Sequence, residues 1–116
     1  MNTAQTPAVL DEVAAERVKQ EAKWGQQNHP SFSKSIDDIH RADFYGIVAD
    51  DIARQACEEA FQGDRGSYAH IFMEEAAEAI CATTIADLRT ELIQVAAVAV
   101  AWIESIDRNE SENTTV

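Results

Sequence analysis

The sequence predicts an all-α fold, and three observations carry that expectation. β-branched residues do not fall in alternating runs; they are scattered among Ala, Glu, Gln and Leu, which favour helix. Only two prolines occur, Pro7 and Pro30, and neither interrupts a periodic segment. Apolar residues recur at three- and four-residue spacing, most clearly at Leu88, Leu92, Val95, Ala99, Trp102 and Ile106.

A first helix is expected from Ala8 to Trp24, with Val9, Val13, Glu16 or Arg17, Gln20 and Trp24 along one side and Leu10, Ala14 and Val18 beside them. Gly25 suits its C-terminal stop, where a left-handed conformation is needed. Gln26 to Ile36 is polar and reads as a long loop, a common place for function. Ser35 with Asp38 has the spacing of a helix-opening cap. His40 to Gly46, HRADFYG, reads as a short helix or a turn. A further helix is expected over Ile47 to Gln62, with Val48, Ile52, Ala56 and Ala60 as its stripe and Gly63 as its end. Ser67 is a fitting N-cap for the next helix, which runs to Ala82. Thr83 and Thr84 break it, and Thr84 with Asp87 opens the last helix, which continues to Arg108.

The chain of 116 residues reads as one helical domain over 8–108, with a disordered N-terminus at 1–7 and a mobile tail at 109–116. Its formal charge of −12 argues against a nucleic acid polymer as partner, because such binding needs Lys and Arg to neutralise phosphates. Free nucleotides stay open, since a divalent cation inverts the local field. The longest apolar run, Val95 to Ile103, is too short to span a membrane as a helix. The N-terminus lacks the pattern of a signal peptide. Cys57 and Cys81 stand apart, so reduced, buried thiols in a cytoplasmic protein are expected.

The stretch from Ile71 to Ile106 carries acids where apolar stripes run. Glu75 and Glu78 are three residues apart and share a helix face. Glu91 borders the stripe of the last helix. Neither Glu75 nor Glu78 has Lys or Arg four residues on to make a surface pair. An acidic cluster on a helix is ordinarily a solvated face. These acids lie among Ala, Ile and Met instead. If the two helices pack as an antiparallel hairpin, the acids converge on an apolar seam. Then either the seam is open to water, or a cation sits between them. Oxygen-only donors select hard cations, and Mg2+ fits such a set while keeping positions for waters and phosphates. Zinc is not indicated, because His29, His40 and His70 are not spaced as a ligand pair.

Glu74-Glu75-x-x-Glu78 followed by Glu91-x-x-Gln94 resembles the E-E-x-x-E … E-x-x-D signature of the MazG-like nucleoside triphosphate pyrophosphohydrolases. The segments ERVKQEAKWGQQNHP and HIFMEEAAEAI…DLRTELIQVAAVAVAWIES look like small actinobacterial and phage members of that family. The resemblance implies a four- to five-helix bundle completed as a homodimer or homotetramer. It implies Mg2+-dependent (or Mn2+-dependent) cleavage between the α and β phosphates of a nucleoside triphosphate. Glu75, Glu78, Glu91 and Gln94 would be metal ligands, and Glu74 or Glu78 would orient the attacking water. Gln94 stands where the family usually has Asp; it offers a carbonyl oxygen but neither charge nor a base. That departure keeps a second reading open, a MazG-like module that binds a nucleotide or protein without turnover.

For the substrate, Gln20, Lys23 and Trp24 precede the long loop. Lys23 would meet a phosphate and Trp24 would stack on a base; the alternative is a core Trp24 and a solvated Lys23. His29 is a further base or ribose contact, and Arg54 a phosphate contact. Ile93, Ala97 and Val100 lie opposite the main stripe of the last helix, so that helix is expected to be covered on two sides, the second by another subunit or by the N-terminal helices.

Overall fold

The computed structural model describes residues 5–34 and 36–109. Among them all regular structure is helical: α1 (Gln5–Trp24), a 3-10 turn (Asp38–His40), α2 (Arg41–Phe44), α3 (Asp50–Gln62), α4 (Tyr68–Ile80) and α5 (Ile85–Arg108). The all-α expectation holds. None of these helices is long and apolar enough to cross a membrane. Ser35, expected as a cap, lies outside the described residues, as does the tail from Glu110 onward.

The chain divides into two compact units. One takes the chain up to Ser31 together with the chain from Val100 on; the other is Phe32–Ala99. α5 supplies a segment to each.

In the first unit α1 begins at Gln5, earlier than the sequence indicated. Pro7 falls in the first turn, where a missing N–H costs nothing. The helix start is tied down by contacts invisible in local sequence. Gln5 Nε2 donates to the Glu104 carbonyl at 2.9 Å, and Thr6 Oγ1 to the Glu104 carboxylate at 2.9 Å. Arg108 donates to Gln5 Oε1 at 3.0 Å. Val9 is the buried residue of α1, whereas Leu10, Val13, Val18 and Trp24 are exposed. Gly25 takes φ +71°, and its N–H returns to the Glu21 carbonyl at 2.7 Å. This is the left-handed stop that the glycine led us to expect.

The second unit is built on α3 packed against α4. Its buried residues are small: Ala53, Cys57 and Ala60 from α3, Ala77 and Ala79 from α4. Leu88 of α5 is buried as well. Small side chains let helix backbones approach closely, and close packing is what the interior rewards. Of the expected Val48–Ile52–Ala56–Ala60 stripe only Ala60 is buried; ahead of it the buried line runs one residue later, through Ala53 and Cys57. Val48, Ile52 and Ala56 are exposed. The hydrophobic rule picked the bulkier residues, while the close helix contact selected the smaller ones.

Both helices of the acidic stretch start on the caps read from sequence. Ser67 Oγ accepts from the His70 N–H at 3.3 Å, and Thr84 Oγ1 from the Asp87 N–H at 3.0 Å. These bonds satisfy N–H groups that the first helical turn leaves without partners. α4 ends at Ile80, with Cys81 as its C-cap. Replacing Ser67 with Ala removes such a bond, and Ser67 Oγ also lies 2.7 Å from His70 Nδ1. Ser67→Ala is expected to lower unfolding free energy by about 1 kcal/mol in a urea titration. An unchanged midpoint would show that the cap contributes nothing.

Candidate metal centre

α4 presents Glu75 and Glu78 and α5 presents Glu91, all three half-buried. One carboxylate oxygen from each lies within 4.8 Å of the other two. The expected convergence of the three acids is thus present within the second unit. At that separation two ionised carboxylates repel by about 3 kcal/mol in an effective dielectric near 20. That is enough to keep a proton in the cluster.

The titration behaviour follows. Burial pushes the Glu75 carboxyl above its ordinary value, with the charges of Glu91 and Glu74 adding to the shift. Glu78 is raised to about 7, first by burial, then by the charge of Glu75, and it hydrogen-bonds Glu91. Gln94 supplies neutral support. With its amide nitrogen toward the acids, the orientation that their oxygens require, it donates to Glu75 Oε2 at 2.8 Å and to Glu91 Oε2 at 3.3 Å. Gln94 therefore joins the cluster as a donor bridging two acids across the helix pair. It takes the place of a ligand only by turning its carbonyl inward.

Glu74 is directed elsewhere. It hydrogen-bonds the thiol of Cys57 on α3. That thiol is buried and free, and its pKa is raised first by burial and then by the Glu74 charge. Of the two acids expected to orient a water, Glu78 is in the cluster and Glu74 faces α3.

An open polar cleft of about 370 Å³ borders the acids, lined by Arg54, Glu78, Asp87 and Glu91 with Asp50 and the chain at Cys81–Thr83. Arg54, read as a phosphate contact, stands in the same cleft as two of the acids. Asp50 and Asp87 add carboxylates there; the sequence had singled out Asp87 only as the acid that opens the last helix. The remaining candidates belong to the first unit. Gln20 accepts from Arg17 at 2.7 Å. The Lys23 ammonium sits 4.8 Å from the centre of the exposed Trp24 ring. The core reading of Trp24 is therefore not what this unit shows. His29 is exposed in the loop.

Sequence reading missed Arg41. It is 7% exposed, the one buried charged residue among those described. Its Nη1 donates to the Ile80 carbonyl at 3.0 Å and also to that of Ala82. Its Nη2 donates to Asp38 at 2.7 Å, and the guanidinium stacks on Phe32 at 3.9 Å. The last carbonyls of a helix lack intrahelical partners and carry the negative end of its dipole, so a buried cation is well placed there. The available signal was Asp38 three residues before Arg41, in a segment legible only as a helix or turn.

Compared with protein-family models, curated proteins and solved structures, the chain matches none. The donor set speaks for itself: oxygen atoms alone, from two helices, in a place where burial resists negative charge. Such a set fits a hard divalent cation.

The shifted acids have a consequence for stability. The ordinary glutamate value is 4.5 and Glu78 in the folded protein is raised to about 7. Between these values the folded state holds a proton that the unfolded state releases. Stability from this site is thus fully present below pH 4.5 and is lost as pH rises through 7. In metal-free buffer, Glu78→Gln is expected to melt above wild type at pH 8, with the gap closing toward pH 4.5. Parallel melting curves across that range would contradict the shift.

Proposed function

We propose that this chain is a Mg2+-dependent nucleoside triphosphate pyrophosphohydrolase, with Mn2+ as an alternative metal. The observation that carries the reading is the convergence of Glu75, Glu78 and Glu91 on one point between α4 and α5. The resemblance of E-E-x-x-E … E-x-x-Q to the MazG-like signature supports it, as does Arg54 in the adjoining cleft.

Glu75 and Glu91 would hold the cation, with Glu78 completing the set. A Mg2+ ion held there would supply positive charge for the phosphates and lower the pKa of water. Arg54 would bind a phosphate oxygen from the cleft wall. Glu78 would orient the attacking water and take its proton. The water oxygen bonds to the α phosphorus, the bridge to the β phosphate breaks, and pyrophosphate departs with that bridging oxygen. The products are a nucleoside monophosphate and pyrophosphate. A homodimer or homotetramer and a cytoplasmic setting belong to the same reading.

A second reading has an observation of its own. Gln94 bridges Glu75 and Glu91 as a neutral donor, which holds the acids together without a cation. That arrangement suits a module that binds a nucleotide without turning it over.

Pyrophosphate release from a panel of ribo- and deoxyribonucleoside triphosphates with Mg2+ or Mn2+ separates the two. The enzyme reading expects metal-dependent release that drops about 100-fold or more in Glu75→Ala and Glu91→Ala. It also expects Gln94→Asp to bind Mg2+ more tightly than wild type. Orthophosphate as the first product would contradict the assigned bond. Saturable nucleotide binding with no product would move the assignment to the binding module.

A further inference from the structure

We propose that Arg41 is a positioning residue for the carboxylate cluster, holding the corner between α4 and α5 in the one arrangement that lets Glu75, Glu78 and Glu91 meet. The inference deepens the cation-site reading but rests on contacts made without any cation.

The acids sit on two helices joined by the short segment between Ile80 and Ile85. Glu78 is two residues before that corner. Mutual repulsion pushes the helices apart there, so the cluster needs an opposing restraint. Arg41 supplies one from outside the hairpin. Its Nη1 donates to the carbonyls of Ile80 and Ala82, on either side of the C-cap Cys81. Two carbonyls gripped by one nitrogen fix both the end of α4 and the direction in which the chain leaves it.

The guanidinium is itself held on its other sides. Asp38 takes Nη2 at 2.7 Å, and the Phe32 ring lies 3.9 Å from the guanidinium carbon. Its Nε is buried and has no hydrogen-bond partner. Burying a cation and leaving one of its donors unpaired is costly, and a packing role alone would be served better by an apolar side chain. The planar fork is what lets one side chain hold the two carbonyls through Nη1 and Asp38 through Nη2, and lysine lacks it. Cys81 and Ala82, the corner that Arg41 holds, also line the cleft beside Glu78 and Glu91. Loss of the grip therefore acts on the acids and on the cleft wall together.

The readout is the Gln94 side-chain amide, whose nitrogen, turned toward the acids, reaches Glu75 on α4 and Glu91 on α5 and so reports on the setting of the two helices. Its two proton resonances are followed by NMR in metal-free wild type, Arg41→Lys and Arg41→Gln, with helix content checked by circular dichroism. Ala60→Gly, a destabilising change at a buried α3 position away from the corner, is the control for general loss of stability. Arg41→Lys is expected to shift the Gln94 amide toward the values of a solvated glutamine while keeping its helix content, and Ala60→Gly to leave it in place. Should Arg41→Gln fail to fold, Arg41→Lys still decides. A Gln94 amide unmoved in Arg41→Lys overturns the inference, as does an equal shift in Ala60→Gly.

Mn2+ titration of the same proteins adds the link to the site. Wild type is expected to bind, Arg41→Lys to bind on the order of tenfold more weakly, in the range found for residues that orient metal ligands, and Ala60→Gly to bind as wild type. Equal affinity in Arg41→Lys overturns the inference. Absence of Mn2+ binding by wild type overturns the cation-site reading alone, and the Gln94 amide still decides the role of Arg41.

Discussion

Like charges brought together away from bulk water must be shared with a proton, bridged by donors, or neutralised by a cation. Glu75, Glu78 and Glu91 are in that position, with oxygens within 4.8 Å of one another. The surrounding structure supplies the first two remedies. Burial and mutual repulsion keep a proton on the cluster near neutrality, and Gln94 bridges Glu75 to Glu91. The third remedy is the functional proposal. A divalent cation would displace the shared proton, so metal affinity and proton release are coupled at this site.

The rest of the second unit can be read as the apparatus that makes such crowding possible. α3 and α4 are joined through alanines and one cysteine, so α4 is braced at short range by a partner with little side-chain freedom to lose. Ser67 and Thr84 fix where the two acid-bearing helices begin. Arg41 grips the corner between them. Glu74, adjacent in sequence to Glu75, turns onto Cys57 and leaves the cluster to three acids. The cleft beside them mixes the acids with Arg54, which is the charge pattern an anionic ligand carrying a divalent cation would need.

Much of this was legible in the sequence, for reasons local to it. Ser67, Thr84 and Gly25 act through the few residues that follow or precede them, so their types were informative. Glu75 and Glu78 shared a face by helical spacing alone, and Glu91 followed from a hairpin whose turn is short. What escaped depended on distant partners. The α1 start at Gln5 is tied to Glu104 and Arg108. The α3 stripe shifted to Ala53 and Cys57 because close contact with α4 favours small residues over Val48 and Ile52. Arg41 had only Asp38 three residues before it as a local signal, because the carbonyls it serves lie on α4 and just beyond it. Gln94, expected as a substituted ligand, lies against two of the acids, with its amide nitrogen in reach of Glu75 and Glu91 when turned toward them.

The central claim is that the three carboxylates form one divalent-cation site, and a crystal structure grown with Mn2+ tests it most directly. Anomalous scattering is expected to place a Mn2+ ion between Glu75, Glu78 and Glu91, with at least three carboxylate oxygens at roughly 2.0–2.3 Å. A structure at saturating Mn2+ with no anomalous peak there, the acids still sharing a proton and bridged by Gln94, would contradict it.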